Sequence, residues 1–518
     1  MTVVDEVLAG MMEYFDNKIT LAGLDNIFGS YLENPEQYRI DNSEKLYDGM
    51  TTIISGNKDI EEFYYLLSAL YKLTRKNTAY YELIKRVTKD TGLSKETKYF
   101  AYWQLACDVF VDSALDTYES TDLLDDLYEV IYQDYYSEVK DICMPIPMTL
   151  RNDELVIFIT SQMLTLNHVP TKVLLDRCSI MDRVMHKKIL VINTADILTP
   201  YGSVNWFGAR EGNYNDVLTK QDYLDYEGRR FAFYQCPKAM PDISVIKEIV
   251  NVVREEKPAY IVSMGGANIT ADILSNIVPT LTIATVFSKR AQTRGAFQVT
   301  PHIPNDRDRK WLLRHGMNDL HFIQGLFSFS FKEQMHKYSR NELGIPENKI
   351  ASVVIGARLD DEVDDEFMEV INALSGLDIY TVFVGNLTKY VNLKEQYKGT
   401  KEHLINLGFQ DDVLAVCECC DLYINPRRRG GGSSAAEAMY KGLPVVTINY
   451  GDVATAVGND FCVLDYDEMV KRVKKLVTDK DYYRNMSIKA KERAAVLMDS
   501  EQEFVRVIKD MESRETFW

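Results

Sequence analysis

Residues Asp421 to Thr447 constrain the fold of this chain more than any other stretch. They read Asp-Leu-Tyr-Ile-Asn-Pro-Arg-Arg-Arg-Gly-Gly-Gly-Ser-Ser-Ala-Ala-Glu-Ala-Met-Tyr-Lys-Gly-Leu-Pro-Val-Val-Thr. The order is strand, glycine loop, helix, tight turn, strand. Gly430, Gly431 and Gly432 stand just before a run of good helix formers. Glycine there lets backbone N–H groups come close to a ligand, and a helix N-terminus favours an anion. Arg427, Arg428 and Arg429 add cations beside those donors, an arrangement that stabilises a diphosphate. Ser433 and Ser434 open the helix, and Glu437 follows one turn on. Ser434-x-x-Glu437 also spells a capping box, so Glu437 has a structural reading beside a ligand-binding one. The loop is neither a Walker A loop nor a dinucleotide fingerprint, since neither spacing occurs.

The rest of the chain divides by style. Residues 1–150 read as all-helical and hold half of the 32 tyrosines. Apolar residues recur at helical spacing over 61–73, 80–87 and 99–111. These aromatics read as helix-packing core, or alternatively as a docking surface for a protein partner or acceptor. No fixed repeat period appears. Cys143-Met-Pro-Ile-Pro147 breaks the helical pattern as a linker.

Strands and helices then alternate. Expected strands are 155–159, 188–193, 259–263 and 280–287, with helices over 171–186, 244–255 and 272–277 between them. A second series begins near Ala351, with strands 351–355, 380–384, 422–425 and 445–448 and a helix over 364–374. Charged amphipathic helices follow from Asp479. Such alternation predicts an α/β fold: two Rossmann-like, doubly wound domains facing a cleft, preceded by an all-α domain. The expected divisions are 1–150, 151–340, 341–480 and 481–518, the last crossing back to the N-terminal half.

Net charge excludes a general nucleic-acid binder, at −18. No apolar run reaches the roughly 18 residues that span a bilayer. The N-terminus carries no signal sequence, so a cytoplasmic location is expected. The eight cysteines form no paired C-x-x-C units, so Cys417-Glu-Cys-Cys420 reads as buried thiols and no metal site is expected. Asp465-Tyr-Asp467 reads as a helix cap at the surface.

Gly408-Phe-Gln-Asp-Asp, Asp421 to Gly432, and Glu437-Ala-Met-x-x-Gly442-x-Pro-Val-Val446 together resemble the donor half of GT-B glycosyltransferases. They are most similar to the large retaining family with an E-x7-E signature, over about residues 155–500. The resemblance implies that Glu437 binds the donor ribose and that the amides of Gly430 to Ser434 bind the diphosphate. Gly356-Ala-Arg358-Leu359 resembles the family's Gly-Arg-Leu turn, whose arginine neutralises the diphosphate. The nucleotide is expected between Gly385-Asn386 and Glu437. Three family positions differ. Arg429 replaces the first glutamate, Val363 stands where a lysine is usual, and Phe287 or Ser288 where a histidine is usual. The spacing of Gly432 to Glu437 also resembles inverting, O-GlcNAc transferase-like enzymes, which leaves the stereochemical outcome open.

The implied activity is a hexosyltransferase. It would move a sugar from a nucleoside-diphosphate sugar, a UDP-sugar by preference, to a glycan or protein acceptor, without cofactor or metal. The alternative is a non-catalytic GT-B subunit of another transferase. On the acceptor side the candidates are Gln162 with His168, the turn Gly265, Gly266 and Asn268, and Lys289 to Arg294. His168 is the candidate base and Arg429 the other catalytic candidate.

Overall fold

A computed structural model describes residues 2–514 apart from 34–39, 57, 58, 167, 327 and 332. The readings that fall on Met1, Asn167 and 515–518 lie outside the described residues. The chain forms two compact units. One comprises 1–144, 194–219 and 236–251, the other 145–193, 220–235 and 252–518.

Among the described residues, the stretch 3–137 of the first unit forms seven helices: Val3–Phe15, Leu21–Glu33, Ile40–Ser55, Ile60–Thr74, Asn77–Lys89, Lys95–Val111 and Tyr118–Ser137. Ser94 and Thr117 cap the last two through their hydroxyls. The tyrosine excess has a packing reason. Tyr64, Tyr80, Tyr99, Tyr128 and Tyr135 are fully buried. A buried tyrosine needs a partner for its hydroxyl. Tyr64 donates to Asp90 (2.8 Å) and Tyr80 to the Leu105 carbonyl (3.0 Å). Tyr99 donates to Asp196 (2.9 Å) and Tyr135 to the Pro241 carbonyl (3.0 Å), which ties the two later segments to the helices.

Residues 194–219 are pinned hardest near Phe207. Its ring meets Phe28 edge-on at 5.3 Å, and its N–H donates to Ser68 Oγ at 2.9 Å. Close by, Asp108 accepts from Tyr71 and from Arg210 (3.0 Å), with Lys72 at 3.7 Å. Burial pushes the Asp108 carboxyl up to about 7 and holds Lys72 down to about 7. A Phe207→Ala variant is expected to destabilise the protein by about 3–5 kcal/mol, the usual cost of deleting a buried ring. Urea unfolding followed by tyrosine fluorescence will show this as an earlier transition.

The second unit contains two sheets. The first has eight strands: β1 (Asn152–Thr160), β2 (Lys188–Asn193), β3 (Tyr223–Tyr226), β4 (Arg229–Gln235), β5 (Pro258–Met264), β6 (Thr280–Ile283), β7 (Phe297–Thr300) and β8 (Phe322–Gln324). Their order is β3-β4-β2-β1-β5-β6-β7-β8, and only the edge pair β3–β4 is antiparallel. The second sheet has six: β9 (Ile350–Gly356), β10 (Ile379–Gly385), β11 (Leu404–Asn406), β12 (Leu422–Asn425), β13 (Val445–Ile448) and β14 (Cys462–Val463). Its order, β11-β10-β9-β12-β13-β14, is parallel throughout. Central strands such as Val353–Val354 and Leu422–Tyr423–Ile424 are buried on both faces, which is why they read as unbroken apolar runs.

Both sheets reverse direction beside their first strand, between β1 and β5 and between β9 and β12. Crevices open at such switch points, beyond the carboxyl ends of the strands. Three sequence expectations are corrected. Strand 280–287 stops at Ile283, and Ala284 to Phe287 enter a loop. The helix expected over 272–277 is Ile269–Leu274, started by Asn268. The Ser434–Glu437 capping box does not form, because the helix Gly432–Tyr440 begins one turn earlier than that motif requires.

Two C-terminal helices complete the unit. Lys480–Met498 packs on Gly432–Tyr440, and Ser500–Arg514 packs on Val169–Met185. At that second contact Arg177 is buried and donates to Ser328 Oγ (3.0 Å) and the Ser328 carbonyl (3.1 Å). No helix among the described residues is long and apolar enough to cross a membrane.

Candidate functional site

The carboxyl ends of β9 and β12 meet at Arg428. This side chain, read from sequence as a phosphate ligand, is instead buried, at 5% exposure. Its guanidinium donates to Glu362 Oε2 (2.6 Å), the Ile355 carbonyl (2.6 Å), Tyr423 Oη (2.9 Å) and Asn425 Oδ1 (2.8 Å). A planar fork with five donors suits that fixed set of acceptors. Arg428 therefore fastens the loop after β12 to the end of β9. Glu362 also accepts from Arg358 Nη2 at 3.0 Å, so the Gly356-Ala-Arg358 turn joins the same network.

The glycine loop rises from this base. Gly431 has φ +99°, and an added Cβ would meet the Arg428 guanidinium at 2.7 Å, so only glycine fits. Gly432 is the first helical residue, and Ser434 Oγ donates to the Gly431 carbonyl at 2.9 Å. The amides of Gly432, Ser433 and Ser434 belong to the first turn, whose N–H groups have no intrahelical acceptor. Glu437 is half-buried on this helix, near Cys417 of the helix Val413–Cys417. Arg427 is exposed and lies over the Tyr450 ring at 4.4 Å. Arg429 is half-buried, and its carbonyl accepts from the Asp452 N–H at 2.6 Å.

Gly385 and Asn386 end the neighbouring strand β10. A Cβ at Gly385 would lie 1.8 Å from the Gly356 carbonyl oxygen, so the two strand ends touch backbone to backbone. Asn386 is exposed beside them. The donor-side candidates Arg358, Gly385, Asn386, Arg427, Gly430 to Ser434 and Glu437 thus share one edge of one sheet.

Across from it, the acceptor-side candidates gather at the ends of β1, β5 and β6. Asn268 Nδ2 donates to Ser161 Oγ at 3.0 Å, and Ala267 N–H donates to the Gln292 carbonyl at 2.5 Å. Gly266 leaves no room for a side chain against Gln292. Gln162, Gly265, Gly266 and the loop 284–296 therefore form one surface. Asn268 itself is buried, and its Oδ1 caps the next helix through Ala271 N–H at 2.8 Å. It shapes the surface from beneath. His168 is tethered to its own helix, with Nδ1 2.8 Å from Thr171 Oγ1. Burial holds its imidazole below the ordinary range, which favours the neutral form.

Sequence reasoning missed Asp452. This buried residue opens the helix Gly451–Val457 in the second sheet's half. Its Oδ1 accepts the N–H groups of Phe287 (3.0 Å) and Ser288 (2.9 Å) from the first half. Its backbone touches the glycine loop beside Arg429 and Gly432. Burial pushes the carboxyl up to about 6, against the opposing effect of those donors and of Arg429. The available signal was position alone: Gly451-Asp452 follows a parallel strand at its carboxyl end.

Residues 336–493 match the family model described as glycosyl transferases group 1. No curated protein matches the chain. Among solved structures, a mutant of the Thermobaculum terrenum O-GlcNAc transferase aligns over 99% of this chain and 98% of that one, with TM-score 0.51 and 11% identity. That likeness shows the fold, a GT-B pair of Rossmann-like halves with a helical front. The Anabaena protein HepE in complex with UDP aligns over 70% of this chain and 100% of its own, with TM-score 0.49 and 14% identity. A glycosyltransferase from Rickettsia africae aligns over 70% and 98%, with TM-score 0.48 and 12% identity.

Eight cysteines are free thiols, and burial holds Cys417 well above the ordinary thiol range. Asp465 caps the helix Tyr466–Thr478 through Glu468 N–H at 2.7 Å. Among the described residues no cluster of His, Cys, Asp or Glu is placed to hold a metal ion.

Two outcomes follow. Arg428→Met strands Glu362 without one of its two cations and is expected to cost about 3–5 kcal/mol, read by chemical unfolding. For Asp452 the folded pKa lies above the unfolded one, so the stability tied to this group is present below about pH 4 and is lost as pH rises through about 6. Asp452→Asn keeps an acceptor and removes the charge. It is expected to raise Tm over the parent at pH 7, with the difference vanishing at pH 4.

Proposed function

We propose that this chain is a glycosyltransferase that takes its sugar from a nucleoside-diphosphate sugar, a UDP-sugar by preference, and moves it to a glycan or protein hydroxyl. One observation carries the reading. A glycine loop opens the helix Gly432–Tyr440, with Glu437 one turn on, at a switch point of a parallel sheet, inside the segment that matches the group 1 family. First-turn amides receive the diphosphate there, and the helix dipole favours its charge. Arg358 and Arg427 add cations for the leaving group, and Glu437 takes the ribose hydroxyls. UDP and UDP-glucose in the Anabaena complexes are consistent with a uridine nucleotide. The reaction calls on no metal in this reading.

Configuration follows from the base. In a retaining reaction the donor phosphate takes the acceptor proton on the same face. In an inverting reaction a side chain of the first half does so, and His168, whose burial favours the neutral imidazole, is the candidate. Arg429 stands where the retaining family has a glutamate, and it neighbours the Asp452 carboxylate. That favours a variant of the retaining pattern, or a subunit that binds without transfer.

The test is incubation with a UDP-sugar panel. Slow release of UDP that falls at least about 100-fold in Glu437→Ala supports the transferase. Nucleotide binding without any release supports the binding subunit. A panel in which no nucleotide raises Tm overturns both.

A further inference from the structure

We propose that the acceptor is an anionic glycan, held along a basic stripe that runs from the loop 284–296 to the helix Asp306–Arg314. This rests on the transferase reading above and names the substrate class of its acceptor side. Between residues 289 and 315 there are seven Lys or Arg and two Asp, in a chain with 59 basic and 77 acidic residues. The excess is therefore local and runs against the whole surface.

The stripe begins at the site. Phe287 and Ser288 hold the loop to Asp452, beside the glycine loop, and Lys289 and Arg290 follow at once. Lys289 is exposed. Arg290 lies over the Trp311 ring at 4.4 Å, and His315 packs on the same ring at 4.4 Å. Trp311 so links Arg290 of the loop to the outer helix. There Arg309, Lys310 and Arg314 are exposed. Acidic neighbours offset only part of this charge, that of Arg309. Asp308 is buried, bonded to His302 (3.0 Å) and the Asn305 N–H (3.1 Å). Asp306 faces Arg309 at 3.6 Å, and Arg309 also meets Asp319 at 3.0 Å. The field is felt by His315, which burial, Arg294, Arg314 and Arg290 together push down to about 4.

Guanidinium and ammonium groups spaced along a surface suit carboxylates, sulfates or phosphates spaced one per sugar. A long nucleic acid suits the protein poorly, because the chain as a whole carries a net charge of −18 and repels a dense polyanion.

The experiment is calorimetric titration of the full chain with hexameric oligogalacturonate and with neutral maltohexaose, each with and without UDP. Oligogalacturonate is expected to bind, more weakly as salt rises, and maltohexaose to bind at least about tenfold less tightly. Lys289→Gln with Arg290→Gln, and separately Arg309→Gln with Lys310→Gln, should each weaken oligogalacturonate about tenfold. Unchanged urea midpoints in both variants would confirm that the fold is intact. Equal binding of the neutral hexamer, or no effect of either double substitution, overturns the proposal. A parallel loss of UDP affinity in the first variant assigns those cations to the donor diphosphate and also overturns it. So does tighter binding of an RNA hexamer or of anionic phosphatidylglycerol vesicles. Failure of the transferase reading looks different: UDP does not bind, while oligogalacturonate still does.

Discussion

The half built on the second sheet depends on one buried guanidinium. Arg428 commits four of its five N–H donors to Glu362, Ile355, Tyr423 and Asn425. A buried charge is costly unless paired and hydrogen-bonded, and here both conditions hold. What the cation does is fix backbone. It joins the ends of β9 and β12, sets the floor against which Gly431 turns, and holds Glu362 where it also meets Arg358. Backbone amides have no side-chain freedom with which to search for a partner, so the direction they point is fixed by whatever holds the loop.

The same economy joins the two halves. Asp452 accepts the backbone N–H groups of Phe287 and Ser288, and the Ser288 side chain adds a further bond to the same carboxylate. The family resemblance leads one to look for a histidine there. The structure instead shows main chain tied to a carboxylate, with the following cations displayed outward.

Much of the architecture was legible. Strands β1, β2, β5, β9, β10, β12 and β13 are continuous runs of β-branched and aromatic residues because both sheet faces are covered. The edge hairpin β3–β4 was not read, since Tyr223 to Gln235 mixes charges and aromatics as an edge strand does. The short strands β7, β8, β11 and β14 give too few residues for a period. Phe287 looked like strand because it is apolar and buried, but its burial comes from a loop. For the site, glycine loop and helix could be read from adjacent residues. Arg428 was misassigned, because three consecutive arginines look alike in sequence and only folding buries the middle one. Asp452 lies 165 positions from its partner Phe287, a separation no local pattern reveals.

The helix Ser500–Arg514 lays Phe504, Val507, Ile508 and Met511 into the half of the molecule built from residues 152–324. That half is synthesised early and is finished late. Its β-strands are all made before residue 325, yet the helix Val169–Met185 keeps an apolar side uncovered until residues 500–514 have left the ribosome. The second half is translated in between and has a sheet and an apolar core of its own. The order of synthesis and the order of completion are therefore reversed, and the unfinished first half is the part of a nascent chain that a chaperone would find exposed.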